Sequence, residues 1–202
     1  MTHRLTLEVP LHATRRYNVH RMALSQITWQ DVQQLPDDGK SREAIEGELY
    51  VTPAPSWRHQ RISQRLEQAL IRLLEEPGHA VVAHAPIGVE FPATGEGVQP
   101  DIVCVSGARR GVICDEGIRG APDLVIEILS PTTAHRDRGV KRQLYDRQSV
   151  EQYWIVDPGT ESVEIWTFGE DPDFERFTDR LPVHHAGEPV GEIDLAEVFR
   201  AD

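Results

Sequence analysis

The sequence predicts one α/β domain in which a mixed β-sheet is flanked by helices. Six short runs rich in valine and isoleucine, typical of buried strands, follow a segment in which apolar residues recur at helical spacing. A second helical segment lies between the fourth and fifth runs, an order expected of an α/β sandwich. With 202 residues the chain is long enough for one well-filled core and hardly for two full-sized domains.

The N-terminal part is predicted to differ from the rest. Residues 1–24 show no clear apolar period, and we expect them to be an extension that the domain does not need for folding. A helix entry is predicted at residues 27–32, with Thr28 as its N-cap. The Glu46-Gly47 turn within residues 44–51 then predicts a tight hairpin.

The first long helix is predicted from Trp57 to about Leu74, capped by Ser56. Its core-facing positions are Ile62, Leu66, Ala69, Leu70 and Leu73. A second stripe on this helix is basic and consists of Arg58, Arg61, Arg65 and Arg72. Two interpretations of this stripe are open: contact with phosphate groups, or a solvated face with ion pairs to Glu67 and Glu75.

The six predicted strands are residues 80–83, 88–91, 101–105, 124–129, 153–156 and 163–168. Residues 133–150 lack the alternation of a strand. Because Val140, Leu144 and Tyr145 fall at helical spacing, this segment is predicted to be the second long helix.

Charge is distributed unevenly along the chain. The net charge of −12 counts at first sight against a nucleic-acid partner, because phosphate contacts need lysine and arginine. Residues 157–202 carry 13 acidic and 3 basic side chains, whereas residues 1–156 carry 20 acidic and 18 basic. The acidity therefore belongs to the C-terminal part, and residues 171–202 are predicted to form an acidic tail that packs on the domain or trails from it.

Cysteines and hydropathy argue against several classes of protein. Cys104 and Cys114 have no second pair nearby, so neither a zinc site nor a disulfide framework is indicated. No run approaches the roughly 18 apolar residues of a membrane span, and the first twenty residues lack the apolar centre of a signal peptide. We therefore expect a cytoplasmic protein with no membrane partner.

The strongest functional signal is a pair of acidic residues in apolar strands. Glu127 has aliphatic neighbours on both sides, and Asp101 follows Pro100 at the start of an apolar run. A buried carboxylate is costly unless a metal or hydrogen bonds compensate it, and two carboxylates from neighbouring strands can hold one Mg²⁺. Asp123 repeats the Pro-Asp pattern, but at ~3.3 Å per residue it lies about 13 Å from Glu127 along one strand. We expect Asp123 to mark the start of that strand.

Several separated motifs occur in the order that one known family shows. They are Glu43-Ala-Ile-Glu-Gly-Glu-Leu, Pro53-Ala-Pro-Ser-Trp-Arg-His59, Gln99-Pro-Asp101, Ala121-Pro-Asp-Leu-Val-Ile-Glu127-Ile-Leu-Ser-Pro131, Arg138-Gly-Val-Lys141-Arg-Gln-Leu-Tyr145 and Tyr153-Trp-Ile-Val-Asp-Pro158. Through them, residues 27–168 resemble the Uma-two (Uma2) family, which is grouped with the restriction endonucleases in the PD-(D/E)XK nuclease superfamily. The set in its order is specific for the family, whereas each motif alone is weak.

The resemblance implies a restriction-endonuclease-like core over residues 25–170 and a catalytic centre that cleaves DNA phosphodiester bonds with Mg²⁺, or with Mn²⁺ in its place. Asp101 and Glu127 correspond to the two metal-binding acids, and the backbone carbonyl of Ile128 is the third implied ligand. The superfamily carries a lysine two residues after the second acid.

This chain departs from the superfamily pattern at that lysine, because Leu129 occupies the position. Lys141, on the following helix, is at a position where the family carries a lysine and is predicted to take over the catalytic role. Asp137, one turn earlier, is expected to hold Lys141 through an i,i+4 pair.

Four further residues are accessory candidates for the site: Glu43, Glu48, His59 and Tyr145. For two of them a simpler interpretation stays open. His59 is one of nine histidines and fits a structural or surface role equally well, and Tyr145 fits packing in the core.

Three functions are compatible with these residues. The first is a DNA endonuclease; the second is a catalytically degenerate nuclease-fold module that binds DNA or protein without cleavage, which the acidic tail and modest basic surface favour. The third is an RNA nuclease or another hydrolase on the same metal site. Fold alone does not choose among them. Symmetric cutting of duplex DNA needs two active sites, with which a homodimer is compatible.

Overall fold

A computed structural model describes residues 26–168 and 173–201. The extension predicted for residues 1–24 lies outside the described residues. The helices are α1 (Trp29–Gln33), α2 (Trp57–Leu70), α3 (Ala134–Arg136), α4 (Arg142–Arg147) and α5 (Leu195–Phe199). A π-helical turn, Ile71–Glu75, extends α2, and a second one, Asp137–Lys141, joins α3 to α4. A 3₁₀ helix spans Gly107–Val112.

The strands form two six-stranded sheets and a hairpin. Those of sheet one are β1 (Ser41–Ile45), β2 (Glu48–Thr52), β4 (Val89–Phe91), β5 (Glu96–Val98), β7 (Ile113–Cys114) and β8 (Gly117–Arg119), in the spatial order β2-β1-β5-β4-β8-β7. Those of sheet two are β3 (Ala80–His84), β6 (Ile102–Ser106), β9 (Leu124–Ile128), β10 (Gln152–Asp157), β11 (Ser162–Thr167) and β12 (Asp173–Phe177), in the order β12-β11-β10-β9-β6-β3. The hairpin is β13 (Arg180–His185) with β14 (Glu188–Asp194).

The predicted fold class is confirmed. In sheet two, β9 and β10 pair in parallel, and β6 pairs antiparallel with β9, so the sheet is mixed. All six predicted strands and both long helices are present with small shifts of their ends. Among the described helices none is long and apolar enough to cross a membrane.

The central strands β9 and β10 of sheet two are buried on both faces, and the residues of β9 alternate between two cores. Ile126 and Ile128 of β9 belong to the core that α2 covers, whereas Val125 belongs to the core between the two sheets. By the period of two along a strand, Glu127 lies on the same face as Val125. The sheet therefore aims Glu127 into the space between the sheets.

Helix α2 closes the outer face of sheet two. Its N-cap Ser56 accepts a hydrogen bond from the His59 amide at 3.3 Å, satisfying one of the unpaired donors of the first turn. Its buried positions are Ile62, Leu66, Ala69 and Leu70. Burial of one leucine side chain stabilises the fold by about 1.5–3 kcal/mol, so this apolar face holds the helix in place.

Within residues 173–201, apolar side chains of the C-terminal acidic segment pack on the core that α2 covers. Leu181, Ile193 and Phe199 are buried in the same core as α2. The Arg65 guanidinium donates to the carbonyl oxygens of Val198 (3.3 Å) and Arg200 (2.5 Å), which fixes the end of α5. The charged side chains of this segment lie on the outside of a structured hairpin and helix.

Candidate active site

The two acids lie side by side at the end of the β6–β9 pair. Ile102 is opposite Ile126, and one further step of the register brings Asp101 next to Glu127. Asp101 Oδ2 accepts a hydrogen bond from the Ile128 amide at 2.7 Å. The antiparallel return of the chain thus joins two carboxylates that are 26 residues apart in the sequence.

Lys141 reaches this pair from the helix that follows β9. Its ammonium contacts Glu127 Oε1 and donates to Glu43 Oε1 at 2.8 Å. Tyr145, one turn further along, donates its hydroxyl to Glu127 Oε1 at 2.6 Å. Residues four apart lie on one helical face, so the π-helical turn and α4, which continues it, deliver both donors to the same carboxylate.

Glu43 is the residue of sheet one that contacts the cluster, through Lys141. It lies on β1, is only 2% exposed, and shares its face of the strand with the core residue Ile45. Glu43 Oε1 also accepts a hydrogen bond from the Gln99 amide at 3.1 Å, two residues before Asp101. Glu43 Oε2 is buried and has no hydrogen-bond partner among the described residues.

Asp137 does not form the pair that was expected. Within the described ranges, the ion pairs of Lys141 join it to Glu43 and Glu127. Asp137 is itself buried on the π-helical turn, where burial raises the pKa of its carboxyl group. It adds a further negative charge beside the ammonium of Lys141.

The site contains more buried carboxylates than cations. Burial raises the pKa of Glu127 well above its ordinary value; Lys141 opposes this, and the charges of Asp137, Asp101 and Glu43 reinforce it. Burial lowers the pKa of Lys141, but the carboxylates of Glu127, Glu43 and Asp137 outweigh burial and raise it overall. Lys141 is therefore a fixed positive charge, and the surplus of negative charge makes the site attractive to a further cation.

His59 contacts two of the groups implied as metal ligands, the Asp101 carboxylate and the Ile128 carbonyl. Its Nε2 lies 3.1 Å from the Ile128 carbonyl oxygen and 3.2 Å from Asp101 Oδ2. Because a carbonyl oxygen only accepts, this nitrogen carries the proton. Burial lowers the pKa of His59, but the hydrogen bond and charge of Asp101 outweigh burial, and the net shift is upward.

A pocket of about 500 Å³ opens beside His59. It lies where the parallel strands β9 and β10 end, the edge of an α/β sheet at which ligands commonly bind. Its walls include Ser56, Arg58, Ser130, Arg138 and Gly159. His59, which contacts Asp101, lines this pocket, whereas the two acids do not.

The predicted basic groups are largely engaged within the protein. On α2, Arg58 pairs with Glu161 at 2.8 Å, and Arg65 holds α5. In the helix after β9, Arg138 pairs with Asp157 and Glu164, and Arg147 pairs with Glu96. The guanidinium groups of Arg136 and Arg142 lie over the rings of Tyr50 and Trp166, at 5.3 and 4.7 Å.

Other predicted residues lie away from the cluster. Glu48 is exposed on β2, and its carboxylate accepts a hydrogen bond from Tyr50 at 3.1 Å. Asp123 stands before β9, where its carboxylate accepts from the Ser106 amide (2.7 Å) and pairs with Arg109 (3.2 Å). Leu129, at the superfamily's lysine position, is buried in the core between the sheets.

Sequence reasoning missed the contribution of Gln99. Its backbone amide donates to Glu43, and its side-chain oxygen accepts from the Arg42 backbone amide at 3.3 Å. Gln99 therefore joins β1 to the segment that carries Asp101. The sequence signal that could have identified Gln99 is its place in the Gln99-Pro-Asp101 motif, two residues before the acid.

Comparisons with known proteins agree with the resemblance drawn from the motifs. The model of the Uma2 family, described as "Putative restriction endonuclease", matches residues 29–189. An uncharacterised protein of Synechocystis sp. is 26% identical over 159 residues, which cover 73% of this chain and 79% of that protein. A crystal structure described as "a putative nuclease belonging to DUF820 from Anabaena variabilis" matches with a TM-score of 0.71 and 20% identity, over 86% of this chain and 97% of that chain. At this identity the structural likeness shows the fold.

Proposed function

The chain belongs to the Uma2 family, and from this premise we propose that it hydrolyses phosphodiester bonds of DNA with the aid of Mg²⁺. The family and the structural neighbour support a nuclease at the coarser level. One observation carries the finer proposal: Lys141 contacts Glu127, although the usual lysine position holds Leu129. A lysine beside the second acid is thus supplied from a different element.

The residues present fit a hard divalent cation. Among the described residues, no hydrogen bond or ion pair engages Asp101 Oδ1 or Glu127 Oε2, so each acid keeps one oxygen free. No group of three or more His, Cys, Asp or Glu side chains in that part of the chain is arranged to hold a metal. Mg²⁺ is commonly bound by one or two carboxylates with waters and substrate oxygens, so a two-acid site meets its needs.

Asp101, Glu127 and the Ile128 carbonyl would hold the ion, with Mn²⁺ as an alternative. When bound, the ion lowers the pKa of a coordinated water and neutralises charge on the phosphate. The Ile128 carbonyl oxygen accepts from His59 Nε2 and has a second lone pair with which it could also contact the ion.

The chain's own residues then have separate roles. The Ile128 amide and His59 fix Asp101. Tyr145 orients Glu127, and Lys141 orients the attacking water or stabilises charge that develops on the phosphate. Substrate approaches through the pocket beside His59.

Cleavage assays test this proposal. Supercoiled plasmid, linear duplex and RNA are incubated with the protein in Mg²⁺, Mn²⁺ or EDTA. We expect nicking or cutting of DNA with either metal and none with EDTA. Asp101→Ala and Glu127→Ala should abolish cleavage, whereas Asp123→Ala should leave the rate unchanged and reduce stability, since Asp123 holds Ser106 and Arg109.

A non-cleaving module that binds DNA or protein is the competing function. The observation that favours it is the engagement of Glu127 Oε1 by both Lys141 and Tyr145. DNA binding in a gel-shift assay, with no cleavage in any metal, would support this function over the nuclease.

A further inference from the structure

The Lys141 ammonium is shared between carboxylates of the two sheets. Glu43 belongs to sheet one and Glu127 to sheet two, and both contact the same nitrogen in a site from which solvent is almost excluded. An ammonium has three N–H donors. It can therefore strengthen its bond to one carboxylate when the other turns away.

Glu43 is anchored independently of Glu127. Strand β1 pairs with β2 along its whole length and with β5 at Ala44, and the Gln99 amide holds Glu43 Oε1. The second oxygen, Oε2, is buried with no hydrogen-bond partner among the described residues. A buried unpaired acceptor is unfavourable, and the ammonium of Lys141 already donates to the other oxygen of the same carboxylate.

We propose that Glu43 is a positioning residue that keeps the Lys141 ammonium in the site when the Glu127 carboxylate binds a divalent cation. The inference rests on the proposed metal-dependent function. Like charges repel strongly in a buried site, so a cation on Glu127 would push Lys141 away unless another carboxylate retained it. Glu43 supplies that carboxylate, with Oε2 as a second acceptor.

The sequence provides a direct probe, because the chain contains two lysines, Lys40 and Lys141. Lys40 is exposed and pairs with Asp38, whereas Lys141 is 3% exposed. Protein labelled with ¹⁵N-lysine therefore gives two side-chain ammonium signals. The buried signal is protected from solvent exchange, and Lys40 is the internal control.

We compare Glu43→Gln with Glu96→Gln. Glu96 is a matched control, because it is also a buried acid of sheet one that pairs with the helix after β9, through Arg147. In the wild type and in Glu96→Gln, the Lys141 signal should shift and stay protected as Mg²⁺ is added. In Glu43→Gln it should be lost to exchange on addition of Mg²⁺, and Glu43→Asp should restore it in part.

Kinetics supply the second readout. With DNA and Mg²⁺ saturating, Glu43→Gln should lower kcat at least tenfold with KM nearly unchanged, and it should add no further loss in a Lys141→Met background. Glu96→Gln should leave kcat unchanged.

The outcomes separate the inference from the proposed function. A Lys141 signal that stays protected in Glu43→Gln with Mg²⁺ overturns the inference, as does an unchanged kcat. Loss of the signal in a protein that cleaves no nucleic acid supports the inference and overturns the nuclease. A wild-type signal that does not respond to Mg²⁺ overturns both.

Discussion

Two ion pairs join the same helical segment to sheet one, and they differ in burial and in how the surrounding groups balance their charges. Lys141 pairs with Glu43 where both are almost wholly buried, whereas Arg147 pairs with Glu96 at 2.5 Å while 34% of the arginine side chain stays exposed. Around Glu96, hydrogen bonds from the Glu46 amide and the Gln148 side chain satisfy the carboxylate. Around Lys141, carboxylates are in surplus.

The pKa shifts of the two acids show the same contrast. Burial raises the pKa of Glu96, but its hydrogen bonds from Glu46 and Arg147 outweigh burial and lower it overall. Glu127, next to Lys141, has its pKa raised by burial and by neighbouring carboxylates. One pair is satisfied and stabilises the fold; the other leaves charge uncompensated, as is typical of functional sites.

The largest expected difference concerns turnover. Lys141→Met should lower the cleavage rate by about 10²–10⁴-fold with little change in DNA affinity, because a positioned acid, base or charge stabiliser contributes on this scale. Arg147→Met should leave the rate unchanged. Single-turnover rates at saturating DNA, with binding measured separately in Ca²⁺, make the comparison.

A folding control accompanies this comparison, because Lys141→Met leaves buried acids without their cation. Lys141→Arg keeps the charge and should remain folded with impaired cleavage. A Lys141→Met protein that is folded and cleaves at the normal rate would contradict the catalytic role.

The next effect concerns stability, for which the Arg147–Glu96 pair is the important one. Glu96→Gln should lower the free energy of unfolding by about 1.5–3 kcal/mol, since it removes the charged partner of Arg147. Urea unfolding measures the change, and cleavage by the folded fraction should be normal. If Glu96→Gln lost activity in proportion to Glu43→Gln, the two pairs would not differ in function.

Several residues of this cluster could be predicted, because the sequence patterns that identify them are also what positions them. An acid inside an apolar strand is visible at Glu127, and helical spacing places Lys141 and Tyr145 on one face. Lys141 lies against Glu127, well within the short distance that its predicted role requires.

The accessory glutamates could not be separated by motif alone. Glu43 and Glu48 belong to the same motif, yet Ile45 pairs with Glu48 across the turn, and Glu43 pairs with Tyr50. Alternation puts Glu43 with buried Ile45, whereas Glu48 stands exposed on an edge strand. Only the position of β2 at the edge of sheet one decides between them.

Two parts of the fold had no usable signal. Strands such as β5 and β7 have three and two residues, too few to show a period. The π-helical turn Asp137–Lys141 shifts the helical register, so an i,i+4 pair expected from α-helical spacing was replaced by pairs across the sheets.

The contributions of Glu96 and Glu127 to the free energy of unfolding should change with pH in opposite directions. The pKa of Glu96 is lowered in the folded state, so its contribution is present above its ordinary value of 4.5 and is lost as pH falls through the lowered pKa. The pKa of Glu127 is raised, so its contribution is present below 4.5 and is lost as pH rises through the raised pKa.

Unfolding of three proteins in EDTA between about pH 3 and pH 8, a range that includes the window below 4.5, tests this: the wild type, Glu96→Gln and Glu127→Gln. The advantage of the wild type over Glu96→Gln should grow with pH, and its advantage over Glu127→Gln should shrink. Each unit of difference between folded and unfolded pKa corresponds to about 1.4 kcal/mol. Parallel pH profiles for the two variants would contradict the contrast between the acids.

The smallest effect concerns the neutral donor that each acid receives from the helix. Tyr145 donates to Glu127 at 2.6 Å in the buried site, and Gln148 donates to Glu96 at 3.0 Å near the surface. Tyr145→Phe removes one hydrogen bond to a buried carboxylate, which should cost about 1.5–3 kcal/mol of stability in EDTA, reduced by protonation of Glu127. Gln148→Ala should cost less than about 1 kcal/mol, because water replaces its hydrogen bond at an exposed edge.

With Mg²⁺ present, the loss in Tyr145→Phe should become smaller, since the cation compensates Glu127, while the loss in Gln148→Ala should stay constant. Urea unfolding with and without Mg²⁺ measures all four values, and a Tyr145→Phe loss that Mg²⁺ leaves unchanged would show that Glu127 does not contact the cation.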